Sequence, residues 1–164
     1  MRIELEAPIS EDVYGLLGEH LKDMLAISPA ASVHALDRHA MSTSDVTLWS
    51  VRDSGALLGC GALKELAPDT GEIKSMRTAS AVRGRGVGVR MLIHLLETAR
   101  NRGYTRLNLE TGTEEFFAPA RRLYKRHGFR ECAPFGDYRP DPHSRFMAID
   151  LSTEDSQAST RREC

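Results

Sequence analysis

Arg83-Gly84-Arg85-Gly86-Val87-Gly88 decides how this chain is read. It lies between a strand-like run, Glu72 to Ala79, and a strongly helical run, Val89 to Arg102. Glycine at alternate positions lets the backbone turn sharply and leaves amide N–H groups uncovered by side chains. Successive N–H groups in such a turn form a nest for anions, and the helix that follows points its positive end at the same place. Arg83 and Arg85 add charge there, so the stretch suits a pyrophosphate. A P-loop would end in Gly-Lys-Ser/Thr, where this chain has Gly88-Val89-Arg90. A dinucleotide fingerprint would space its glycines Gly-x-Gly-x-x-Gly. What remains is Arg-x-x-Gly-x-Gly between strand and helix, with a ligand-free tight turn as the bland alternative.

Composition narrows the setting. The chain has 164 residues, 41% of them hydrophobic and 27% charged, which suits one domain of ordinary size. A formal net charge of -1 gives no global attraction to nucleic acid or an acidic membrane. No run reaches transmembrane length, and Met1 to Ser10 does not have the pattern of a signal peptide. Cys60, Cys132 and Cys164 are odd in number and lack metal-ligand spacing, so a reduced, cytoplasmic setting and no metal are expected.

Along the chain, Arg2 to Glu6 alternates like a half-buried strand. Ser10 is placed to cap a helix with Glu11 and Asp12 in its first turn and a stripe of Val13, Leu16, Leu17, Leu21 and Met24. Ser28-Pro29 should end it. A short helix over Ala31 to His39 and a polar turn over Met41 to Asp45 are expected next. Val46 to Arg52 and Ala56 to Leu66 read as strands joined by Asp53-Ser54-Gly55, a hairpin signal. Gly59 and Gly61 mark a bulge or close packing. Asp69-Thr70-Gly71 reads as a turn before the Glu72 strand. After the glycine loop, Met91, Leu92, Leu95, Leu96 and Ala99 share one helical face, with Arg90, His94, Glu97 and Asn101 elsewhere, and Gly103 stops the helix. Arg106 to Glu110 is a strand, so a right-handed crossover and a parallel pair follow. A helix from near Phe117, a strand from Phe129 towards Ala133, an irregular stretch from Pro134 to Ser144 and a last strand from Arg145 to Leu151 complete the order. Residues 1–151 are expected as a single domain and 152–164 as a disordered tail.

The Glu-bearing strand, Arg83-x-x-Gly86-x-Gly88, the amphipathic helix with its following strand, and Ala120-x-x-Leu123-Tyr124-x-x-x-Gly128-Phe129 agree in order and spacing. Together they closely resemble the GNAT superfamily of N-acetyltransferases over roughly Arg2 to Leu151. The resemblance implies an α/β fold with a mixed, mostly antiparallel sheet of about seven strands, flanked by helices. Its fourth and fifth strands would splay to admit the thioester end of acetyl-CoA. It also implies that backbone groups around Met76, Arg77 and Thr78 hold the pantetheine arm, and that Arg83, Gly84, Arg85, Gly86, Val87 and Gly88 hold the pyrophosphate. Tyr124 falls where many members carry the general acid, and Glu72 where some carry the general base. Many relatives have Asn where this chain has Phe117, which leaves one polar contact to the cofactor missing or replaced by packing.

The chemistry suits these residue types. An alkyl ammonium with a pKa near 10.4 costs roughly 4–5 kcal/mol to deprotonate at neutral pH. A carboxylate can take that proton, directly or through water, and Glu72 and Glu110 are the candidates. A tyrosine near pKa 10 is a weaker acid than a thiol near about 8.5, so Tyr124 suits hydrogen bonding to the departing sulfur. A backbone N–H near Met76 suits the thioester oxygen as it gains charge. The resemblance implies that the acceptor side is built from the first helices and the connection before the last strand, here His20, His34 and the loop carrying Phe135, Asp137, Tyr138 and Asp141. Acidic residues there would suit a cationic amine; Arg77 and Lys64, facing the cleft, would suit a carboxylate. The resulting expectation is acetyl transfer to a primary amine of a small molecule or amino acid, without nucleic acid or membrane partners and with a homodimer allowed. A non-catalytic acyl-CoA sensor and a protein N-terminal or lysine acetyltransferase are the alternatives.

Overall fold

The computed structural model describes residues 1–33 and 38–152. Seven strands form one sheet: β1 (Arg2–Leu5), β2 (Val46–Asp53), β3 (Ala56–Ala67), β4 (Thr70–Thr78), β5 (Arg106–Gly112), β6 (Arg130–Glu131) and β7 (Ser144–Asp150). Their spatial order is β1-β2-β3-β4-β5-β7-β6. Every neighbouring pair is antiparallel except β4 with β5. Helices α1 (Glu11–Ile27), α2 (Arg38–Met41), α3 (Val87–Asn101) and α4 (Ala118–Arg126) flank it. The mixed, mostly antiparallel sheet with its parallel central pair matches expectation. Among the described residues, no helix is long and apolar enough to cross a membrane.

Two cores sit on the two faces. Ile73, Leu107, Leu109, Met147 and Ile149 join Met91, Leu92, Leu95 and Tyr124 on the face covered by α3 and α4. On the other face, Val13, Leu16 and Leu17 of α1 pack with Met41, Leu48, Cys60 and Ala62. Side chains alternate along a strand. Glu72, Lys74, Asn108 and Glu110 therefore project to the α1 side.

The feature that makes a site is an early end to the parallel pairing. β4 and β5 are in register from Thr70↔Arg106 to Ile73↔Leu109 and then part, although both strands continue. β4 carries an extra residue against β3: Ala62 pairs with Lys74, but Cys60 pairs with Arg77. Ser75 takes up that residue at a φ of 56°. A bulge of this kind bends and twists its strand away from the neighbour. Gly59 permits the close approach: a Cβ there would meet the Arg77 carbonyl oxygen at 2.8 Å and Val87 Cγ1 at 2.9 Å.

Several boundaries differ from the sequence reading. α3 begins at Val87 rather than Val89, after a 3-10 turn over Ser80–Val82, because Gly86 already supplies the left-handed cap. Met41 is not in a polar turn but buried at the end of α2, where it fills the α1 core. The helix expected over Ala31 to His39 appears as a 3-10 turn, Ala30–Ser32, and α2, with residues 34–37 outside the described residues. Thr70 and Gly71 are already in β4 rather than in a turn. β6 is only two residues long. Ser10 precedes α1 as expected, but its hydroxyl donates to Glu6 and Asp12 instead of capping the helix. His94 turns inward, packing edge-on against Trp49 at 5.0 Å. Apart from Ser152, the expected tail lies outside the described residues.

Candidate active site

Two cavities meet where β4 and β5 part. The larger, about 510 Å³, is lined by Met76, Arg77, Thr78, Arg83, Gly84, Gly86, Val87 and Gly88, together with Phe116 and residues of α4. Gly84 and Gly86 stand at φ of 78° and 81°, with nothing within 4 Å of where a Cβ would be. Gly86 caps α3 without any side-chain hydrogen bond, so the first amides of α3 have no capping side chain. That combination of an open glycine turn, an uncapped helix start and Arg83 fits a polyanion. Arg85 is exposed on the same turn and does not line the cavity. Arg77 lines it, but its guanidinium donates to Asp23 of α1 at 2.5 Å, so it also fastens that helix to β4.

The smaller cavity, about 120 Å³, opens on the α1 side of the sheet. Glu72, Lys74, Glu110, Tyr138 and His143 line it, along with Ser28 and Met24 of α1. Met76, Phe117, Ala120, Tyr124 and His20 line both cavities and form the junction. Tyr124 is buried, and its hydroxyl reaches Met76 Sδ at 3.6 Å. Burial, with Glu110 nearby, holds the Tyr124 phenol well above its ordinary value. Near pH 7 its hydroxyl is therefore protonated, with a proton available for a hydrogen bond.

The two candidate carboxylates have different surroundings. Glu72 Oε2 accepts the Tyr138 hydroxyl at 2.6 Å and the Lys74 ammonium at 3.2 Å. The Lys74 ammonium also donates to Tyr138 Oη at 2.9 Å, closing a three-membered ring of contacts. Tyr138 is braced in turn by Phe135 and Phe146, at ring separations of 5.1 and 5.4 Å. Glu110 has no lysine or arginine bonded to it among the described residues. Burial pushes its carboxyl up to about 7, against the pull of Lys74. The register explains why Lys74 and Glu110 face one another. Glu72 pairs with Asn108, and two residues on along each strand the pairing has ended.

His20 sits at the junction with its Nδ1 buried and without a hydrogen-bond partner. Burial, with Arg77 close by, pushes it down to about 4, so its ring is neutral near pH 7. At the far wall, Glu114 Oε1 accepts from Ser28 Oγ at 3.1 Å and pairs with His143 Nδ1 at 3.2 Å. This joins the end of α1 to the segment that follows β5 and to the one that precedes β7.

The structure thus brings together most of the residues expected from sequence, with exceptions. Lys64 lines neither cavity, and of the expected loop residues Tyr138 lines one while Phe135, Asp137 and Asp141 line neither. His34 lies outside the described residues. Lys74 and His143 were missed. Lys74 had a signal, since it stands two residues after Glu72 on the same face of one strand. His143 had none, because a loop joins it to the site. Among the described residues, no group of three or more His, Cys, Asp and Glu side chains is placed to hold a metal.

Comparison with known proteins gives consistent results. The model of the acetyltransferase (GNAT) family matches residues 15–129. An uncharacterised N-acetyltransferase of Bacillus subtilis (strain 168) is 46% identical over 151 residues, 92% of this chain and 100% of its own length. The IAA acetyltransferase of Azospirillum brasilense is 37% identical, across 88% of this chain and 94% of its own. A crystal structure of a candidate acyl-CoA N-acyltransferase from Klebsiella pneumoniae superposes with a TM-score of 0.72. It is 29% identical, covering 92% of this chain and 97% of that one.

Proposed function

This chain belongs to the acetyltransferase (GNAT) family, and we propose that it moves the acetyl group of acetyl-CoA onto the primary amine of a small molecule or amino acid. We assign this activity to one catalytic domain over residues 1–151. The observation that carries the reading is the meeting of an anion-cradling cavity with a carboxylate-lined one at Tyr124 and Met76.

Gly84, Gly86, Val87 and Gly88 would hold the pyrophosphate with their amides, and Arg83 would add charge. Met76, Arg77 and Thr78 would hold the pantetheine arm through their backbone. Bound there, the cofactor supplies an activated thioester. The acceptor enters from the α1 side. An arriving ammonium has to lose a proton before its nitrogen can attack.

The sequence favoured Glu72 as the group that takes this proton. The two donors already on Glu72 Oε2 occupy that oxygen, which would otherwise be free to receive the proton. Glu110, which burial raises to about 7 against the Ser144 hydroxyl and Lys74, is better matched to the task. In this assignment Glu72 holds Lys74 and Tyr138 in place. Tyr124 donates its hydroxyl to the sulfur as charge gathers on it. The backbone N–H of Met76, beside the bulge at Ser75, is the donor for the carbonyl oxygen. Neutral His20 lies against the same junction.

A panel of primary amines and amino acids, with acetyl-CoA and detection of released thiol, tests this reading. Acetylation of at least one class above the hydrolytic background is expected. Tight acetyl-CoA binding with no transfer to any amine would instead make the chain a sensor.

A further inference from the structure

We propose that Lys74 is the recognition point for a carboxylate on the acceptor, so that the substrate is an amino acid rather than a simple amine. This rests on the N-acetyltransferase reading above and sharpens it.

Lys74 is the one lysine or arginine among the described residues lining the acceptor cavity. Its side chain is only 10% exposed. An ammonium carries three N–H donors. Two are used, on Glu72 Oε2 and on Tyr138 Oη, and the third forms no hydrogen bond with a described residue. A buried ammonium with an unspent donor is costly to maintain. The third donor lies in a wall of the acceptor cavity, where an anionic group would satisfy it.

Geometry makes the anion part of the acceptor. Lys74 and Glu110 occupy equivalent places on β4 and β5, two residues past the Glu72↔Asn108 pair and just beyond the last one, with the open cleft between them. Lys74 is close enough to act on the Glu110 carboxyl. A molecule spanning the gap meets a carboxylate on one side and an ammonium on the other. An α-amino acid presents the complement, with its ammonium and carboxylate on one carbon. Other cations are committed elsewhere: Arg77 is held by Asp23, and Lys64 lies outside both cavities. The closing ring of Glu72, Lys74 and Tyr138 keeps the ammonium from swinging into the space the amine needs.

The test compares L-amino acids with the amines lacking the α-carboxylate, as ratios of kcat/KM. Wild-type enzyme should prefer the amino acid by at least about tenfold. Lys74→Met should collapse that ratio, and Lys74→Arg should restore part of it. Calorimetric titration of the wild type with an N-acetyl amino acid and with its decarboxylated counterpart gives a readout independent of any variant's folding. Tighter binding of the acid is expected. Equal affinity for the two products, or a ratio unchanged in Lys74→Met, would overturn the assignment. Transfer to amines with no gain from the carboxylate would sink this inference and leave the N-acetyltransferase reading standing. No transfer to any amine or amino acid would remove both.

Discussion

Tyr138 donates its hydroxyl to Glu72 Oε2 at 2.6 Å across a sequence separation of 66 residues. The contact ties the irregular segment before β7 to the strand that opens the cleft. Because Lys74 reaches both partners, the loop, β4 and the acceptor cavity form one unit.

Tyr138→Phe should keep the ring packed on Phe135 and Phe146 while removing one donor from Glu72. A hydrogen bond to a charged group is worth about 1.5–3 kcal/mol. The acceptor KM should rise about tenfold or more, with acetyl-CoA affinity unchanged in a calorimetric titration. Equal loss for both substrates would show that the loop holds the whole site rather than the acceptor.

Glu110 should write its ionisation into the rate. As the proton acceptor it must be a carboxylate, so kcat/KM should climb with pH through about 7 and then level off. Glu110→Gln should lower kcat/KM by about 10²–10⁴ near neutrality and abolish that limb. Persistence of the limb in the variant would return the role to Glu72 or to water.

The same carboxyl has a stability consequence of definite sign. Its folded pKa, about 7, lies above the ordinary value of 4.5, so between these the folded chain binds more protons than the unfolded one. Glu110 therefore costs nothing below about pH 4.5 and destabilises increasingly as pH rises to 7, by up to about 3 kcal/mol. Glu110→Gln should unfold at a Tm close to wild type at low pH and above it at pH 8. Parallel Tm curves would mean that the carboxyl is better solvated than its burial implies.

Tyr124→Phe retains the ring against Phe129, at 5.7 Å, and gives up only a weak contact to Met76 sulfur. Thermal stability and acetyl-CoA affinity should hold, while kcat falls about 10²-fold through loss of a donor that matters once the sulfur gains charge. A fully active variant would show that the thiolate leaves unaided.

Gly86 offers a paired test of the anion cradle. Its φ of 81° is tolerated by Asn better than by most side chains, and the space beside it is open. Gly86→Asp should weaken acetyl-CoA binding by about 10²-fold or more, and Gly86→Asn by much less, because only the carboxylate repels phosphate. Similar losses in both would assign the effect to backbone strain.

Local patterns carried much of this protein in its sequence. The alternation of glycines from Gly84 to Gly88 specified a turn and a helix start suited to an anion, because φ preference and amide exposure are properties of the residues themselves. The 3.6-residue spacing of Met91, Leu92, Leu95 and Leu96 fixed α3 and its buried face, and the strand-helix-strand order fixed the parallel pair. Glu72 and Tyr124 were legible through their places in a family pattern. What the sequence could not carry was whatever depends on two segments meeting. The bulge at Ser75 is a mismatch between β3 and β4, and has no signature in β4 alone. Whether Glu72 or Glu110 keeps a free, basic carboxylate depends on Tyr138 arriving from a distant loop and on how much water burial removes. Lys74, adjacent in pattern to Glu72, became a candidate recognition group only once the parting of β4 and β5 set it across an open cleft from Glu110. Charge and hydrogen-bond capacity are written in each residue, but their partners, and hence their chemistry, are set by distance through space.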